Sequence, residues 1–152
     1  MPRPDATAEL TTALEERILM LDGAMGTTIR GYGLTEEDAR GERFKDTDKD
    51  ILNNGDILTL TRPDVISDIH RRFLEAGSDI IETNSFSATS IAQSEFFVED
   101  PRESGKGRKD PDFYQKIMDD PFLKDLAHEL NVKSAKLARA ACDEVAEATG
   151  IK

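Results

Sequence analysis

Asp22 stands directly behind the apolar run Ile18-Leu19-Met20-Leu21 and ahead of Gly23-Ala24-Met25-Gly26-Thr27-Thr28. A short apolar strand that ends in Asp and breaks into a glycine-containing turn brings a carboxylate and bare backbone N–H groups to the edge of a sheet, where α/β folds bind ligands. The carboxylate suits an ammonium group, and the N–H groups suit an anion. By spacing alone, the first reading of Asp22 is a turn or helix N-cap residue. The glycine spacing matches neither a dinucleotide-binding fingerprint nor a P-loop, and the loop carries no lysine.

A second concentration of polar groups, Glu82-Thr83-Asn84, closes the run Asp79-Ile80-Ile81. Asn84 reads either as a polar contributor to a ligand mouth or as the start of a turn. Glu82 alternates with Ile81, and a carboxylate pointing inward would need partners. His70 and His128 each fall on a predicted helix without a second ligand at metal spacing, and read as surface or helix-packing residues. Cys142, among Ala138, Ala141 and Val145, reads as a small core residue. One thiolate cannot make a tetrahedral metal site. No Ser/His/Asp triad is present, so neither a catalytic nor a metal-ligating residue is assigned in this chain.

The elements that must position these groups follow from periodicity and caps. Ala6 to Glu16 can form a short helix with Leu10 and Leu14 on one face, and Ile18 to Leu21 reads as a buried strand. Residues 29–59 are irregular, with a turn signal at Asn54-Gly55. Thr61 reads as an N-cap with Pro63 in the first turn and Asp64 complementing the helix dipole. Ile66, Ile69, Phe73 and Ala76 share one face of that helix, and Gly77 ends it. Asp79 to Thr83 then reads as the second strand. Strand, helix and strand in this order predict a right-handed βαβ unit with both carboxyl ends on one rim, so Asp22 should meet Glu82 to Asn84. Ala88 to Phe97 reads as a further helix. Val98 to Asp112 is polar and broken by Pro and Gly, as in a solvated loop. Asp120-Pro121 opens a last helix toward Gly150, with a break near Asn131, and a third strand is expected to begin at Ile151-Lys152.

The 152 residues are 38% hydrophobic, enough for a core of one domain. A formal charge of −11, from 31 acidic and 20 basic residues, argues against a nucleic-acid surface, which needs a basic footprint. The single cysteine excludes an internal disulfide and points to a reducing cytoplasm. No run approaches the ~20 apolar residues of a membrane span, and Met1-Pro2-Arg3-Pro4-Asp5 is not a secretory start.

The order of these motifs resembles the homocysteine S-methyltransferase family, in particular its cobalamin-dependent methionine synthase type. The resemblance runs through Leu21 to Thr28, Arg40-Gly41-Glu42-Arg43-Phe44, Asn53 to Asp56, Arg62 to Ile66 with Ile69-His70, Glu75 to Phe86, Glu129 to Asn131 and Ala135 to Arg139. It implies a (β/α)8 TIM barrel, which typically needs about 250 residues. Residues 1–152 are therefore expected to be a partial homocysteine-binding domain holding about two strand–helix units of the barrel's start. Residues 99–120 are expected to be a flexible insertion within it. The resemblance further implies that Asp22 contacts the amino group of homocysteine while the backbone of Gly23, Ala24, Met25, Gly26 and Thr27 helps hold its carboxylate. It places Glu82, Thr83 and Asn84 near the substrate sulfur. The implied reaction is attack of zinc-bound homocysteine thiolate on a methyl group carried by cobalamin, giving methionine. The zinc ligands would be three cysteines that this chain lacks, and cobalamin would be bound elsewhere. Alternatively, the chain is a catalytically incompetent fragment or short paralogue acting as a binding or interaction module. A third reading, with no signature of its own, is another barrel enzyme using Asp22 and Glu82 as acid and base.

Overall fold

A computed structural model of the chain describes residues 5–99 and 111–150. The described residues are helical, with no sheet among them. The elements are α1 (Thr7–Glu16), α2 (Met25–Gly31), α3 (Glu36–Arg40), a 3-10 turn (Gly55–Ile57), α4 (Leu58–Thr61), α5 (Pro63–Glu75), α6 (Ser90–Phe97), α7 (Pro111–Asp119) and α8 (Pro121–Thr149).

The α/β expectation, two strand–helix units opening a (β/α)8 barrel, is therefore corrected. The two apolar runs meet in parallel, but only as one isolated bridge, Leu21 with Ile80. It is held by Asp22 N–H to the Ile80 carbonyl (2.9 Å) and by the Asp79 and Ile80 N–H groups to the Met20 carbonyl (2.8 and 3.2 Å). A parallel pair is stable when neighbouring strands and helices cover both faces. Here that cover is missing: Ile18 is 85% exposed, and Met20, Leu21 and Ile80 are also exposed. The apolar character that made these runs look like buried strands is instead displayed at the surface. Side-chain anchors hold the crossing. Asp79 pairs with Arg17 through both carboxylate oxygens (2.6 and 2.8 Å) and also accepts the Met20 N–H at 2.8 Å.

The helices follow their sequence signals more closely. In α3 the Thr35 hydroxyl accepts the Asp38 N–H while the Asp38 carboxylate accepts the Thr35 N–H, a reciprocal capping box. Pro63 opens α5 as expected, but Thr61 belongs to the end of α4 and its hydroxyl donates to the Ile57 carbonyl, so it is not the cap. Gly77 takes φ +103° just past α5, a conformation costly for any side chain. In α8 the Asp120 side chain accepts the Leu123 N–H at 2.9 Å, and the helix runs unbroken to Thr149. The break expected near Asn131 does not occur: its side-chain amide donates across the fold to the Ala88 carbonyl and back to the Ala127 carbonyl one turn earlier, and the helix continues through it. The helix expected from Ala6 forms, but no residue of α1 is buried, and Leu10 and Leu14 stay exposed.

The core lies between α5 and α8, closed by the segment from Ile51 to Leu58. Ile51, Ile57, Leu58, Ile66, Ile69, Leu126 and Leu130 are fully or almost fully buried, each adding roughly 1.5–3 kcal/mol. The expected insertion, 99–120, is described in part: Pro111–Asp119 is α7, anchored by buried Ile117, and residues 100–110 lie outside the described residues. No helix among the described residues is long and apolar enough to cross a membrane.

Candidate functional site

Three segments enclose a cavity of about 510 Å³: the turn from Asp22 into α2, the stretch Leu52–Asp56, and the stretch Glu82–Ser87. Its lining is mostly apolar, with Met25, Ile29, Leu34, Leu52, Phe86 and Phe96 contributing side chains. Phe86 is fully exposed at its edge.

Asp22 is half-buried, and its carboxylate accepts the Glu82 backbone N–H at 2.9 Å across sixty residues of sequence. The Leu21–Ile80 bridge brings them together: once the two chains run in parallel there, the next residues of each must lie side by side. The single bridge thus does what the expected rim was to do. Ala24 then takes φ +50°, left-handed backbone that costs a non-glycine residue roughly 1–2 kcal/mol. That kink turns the chain from Asp22 into the first turn of α2.

The second wall is fixed from outside. The Glu36 carboxylate accepts the Ile51 and Leu52 N–H groups (both 2.8 Å) and is itself held by Arg40 Nε at 2.7 Å. Asn54 and Gln93 pair through reciprocal side-chain amide bonds (2.7 and 3.3 Å), both fully buried or nearly so, and Gln93 also donates to the Ser87 carbonyl. Asp56, 5% exposed, accepts the Ser87 N–H at 2.6 Å. Burial pushes its carboxyl up from the ordinary range, against the lowering effect of the Ser87 and Phe86 N–H groups.

The third wall is pinned by Asn84. Its side-chain amide donates to the Gly55 carbonyl (2.9 Å) and the Thr59 hydroxyl (3.1 Å), while its own carbonyl accepts the Ser134 hydroxyl at 2.7 Å. Both amide hydrogens are therefore committed inside the fold. Glu82 is exposed, and the Thr83 and Ser85 hydroxyls share a 2.7 Å hydrogen bond.

Of the site residues expected from sequence, Asp22, Gly23, Met25, Gly26, Glu82 and Asn84 line the cavity, whereas Ala24 and Thr27 do not. Asn53 to Asp56, read from sequence only as a turn and a stretch of the resemblance, also line it. Arg30 was not singled out, although it follows Gly26 by four residues, the spacing that puts two residues on one helix face. His70, read as a surface or packing residue, is fully buried, and neither ring nitrogen has a hydrogen-bond partner. Burial pulls its protonation below the ordinary range, while the Asp22 carboxylate acts in the opposite direction. His128 is exposed.

No three His, Cys, Asp or Glu side chains are grouped for a metal among the described residues. Cys142 lies half-buried within α8, away from the cavity lining. The described residues therefore do not fit a zinc centre. What the cavity offers is a carboxylate beside a glycine-containing turn, with apolar walls around them. A model of the homocysteine S-methyltransferase family matches residues 19–151, a span that takes in all of these walls, and the chain belongs to that family, whose activity is methyl transfer to homocysteine.

Proposed function

We propose that the cavity captures the amino-acid end of homocysteine, with Asp22 pairing with its ammonium group. The observation that carries this is the junction of Asp22 and Glu82, two carboxylate-bearing residues from distant segments set on one cavity by the 2.9 Å bond. The backbone of Gly23 to Thr27 lies beside Asp22. Asn84 contributes by holding the Glu82–Ser87 wall in place, and Glu82 adds negative potential at the mouth. The apolar side chains of Met25, Leu52 and Phe96 suit the aliphatic stem of the ligand.

In the family's reaction the homocysteine sulfur forms a bond to a methyl carbon as that carbon's bond to the donor breaks. The methionine synthase type, with cobalamin as methyl carrier, is supported by the motif order from Arg40 through Asn131. Zinc and cobalamin find no ligand set among the described residues, so the role proposed for these residues is binding and orientation of the amino acid.

The test is calorimetric titration of the chain with L-homocysteine, comparing Asp22→Asn with the unaltered protein. Asn keeps an oxygen to accept the Glu82 N–H but removes the charge. Loss of a charge-assisted hydrogen bond of about 1.5–3 kcal/mol should weaken binding roughly 10–100-fold. Equal affinity in the two proteins would sink the assignment.

A further inference from the structure

A carboxylate of a bound amino acid would enter a cavity already lined by the carboxylates of Asp22, Asp56 and Glu82. Their field opposes it, so the ligand needs a positive partner. Among the described residues, Arg30 is the only basic one lining the cavity, and it takes part in no ion pair with any of them. It is exposed, and its guanidinium can form two parallel bonds to a carboxylate.

The route from Asp22 to Arg30 is open. Gly26 and Arg30 follow one another at four-residue spacing along the α2 face that lines the cavity, and Gly33 lines it just past the helix. A side chain added at Gly23, Gly26 or Gly33 would meet nothing within 4 Å, so each glycine borders free space. Gly26 and Arg30 lie about 6 Å apart along the helix axis. The ammonium nitrogen and carboxylate carbon of an α-amino acid are separated by roughly 2.5 Å. A ligand whose ammonium sits on Asp22 would present its carboxylate over this glycine floor, toward the flexible arm of Arg30. The first turn of α2 adds neutral N–H donors beside this floor but no net charge to offset the Asp22, Asp56 and Glu82 carboxylates.

We propose that Arg30 is a specificity-determining residue of this site, pairing with the carboxylate of the bound amino acid so that the cavity selects zwitterions over simple amines. This rests on the assignment of Asp22 to the ammonium group. No bond is made or broken in the step.

The experiment titrates the full chain by calorimetry with L-homocysteine and with 3-aminopropane-1-thiol, which keeps the ammonium and thiol but has no carboxylate. The unaltered chain should bind homocysteine at least tenfold more tightly than the amine. Arg30→Met should weaken homocysteine at least tenfold and leave the amine unchanged, and Arg30→Lys should restore part of the preference. Undiminished preference in Arg30→Met overturns the inference, as does equal weakening of both ligands. Equal binding of the two ligands by the unaltered chain overturns it while leaving the Asp22 assignment standing. If the unaltered chain binds neither ligand, or Asp22→Asn binds both as the unaltered chain does, the Asp22 assignment fails and this inference falls with it.

Discussion

Replacing Asn84 by Ala should cost the fold far more than an ordinary loop substitution. Asn84 is 5% exposed, and its amide makes two hydrogen bonds, to the Gly55 carbonyl at 2.9 Å and the Thr59 hydroxyl at 3.1 Å. Each is worth about 1 kcal/mol net. The abandoned partners are not orphaned: the Gly55 carbonyl keeps the Leu58 N–H, and the Thr59 hydroxyl keeps Ser134 at 3.2 Å. The full penalty for unsatisfied buried groups therefore does not apply. Adding a modest term for the space left by the carboxamide gives a loss of about 2–3 kcal/mol. For a domain of this size, that lowers the unfolding midpoint by roughly 5–10 °C. Urea denaturation followed by circular dichroism at 222 nm would read the change directly. A loss below about 0.5 kcal/mol, the range of an ordinary surface change, would refute the reasoning and show that the two bonds contribute nothing. Because Ser134 bonds the backbone carbonyl of Asn84, the double replacement with Ser134→Ala should deviate from additivity.

Two pH effects follow from the same network. The Arg17 hydrogen bonds and the Met20 N–H hold the Asp79 carboxyl down at about 2, against 3.8 when free. Its folded value is the lower one, so this contribution is present above about pH 4 and is lost as pH falls toward 2. Asp79→Asn should flatten the acid limb of a stability–pH curve in that window; an unchanged limb would remove Asp79 from the account. His70 titrates below its free value of 6.5 because it is buried, with Asp22 opposing. The unfolded chain then takes up this proton first, so stability should be full above about pH 6.5 and decline below it. Denaturation of His70→Leu at pH 7.5 and 5.5 should show less of that decline than the unaltered chain, and an identical decline would count against a titrating His70.

The helical half of the fold was legible because its signals are local. Asp120-Pro121 caps and opens α8, Pro63 opens α5, and the spacing of Ile66, Ile69 and Phe73 marks the face that α5 buries. Capping and periodicity act within a few residues, so no distant contact is needed to read them. The strand assignments failed for the complementary reason. Ile18 to Leu21 and Asp79 to Thr83 carry the composition of buried strands, but a strand exists only through its neighbours, and here each run finds one partner at one position. No local signal reports how many partners a run will have.

The candidate site divides in the same way. From sequence alone came the carboxylate of Asp22 beside a glycine turn, its meeting with Glu82 and Asn84, and a motif order resembling one family. Tertiary structure decided what each group is free to do. It committed the Asn84 amide to Gly55 and Thr59, buried Asp56 under the Ser87 N–H, enclosed His70, and left Arg30 facing the same cavity as Asp22. Residue type sets which bonds a side chain can make, whereas burial and neighbours 25 to 60 residues away in the chain decide which of them it has already made.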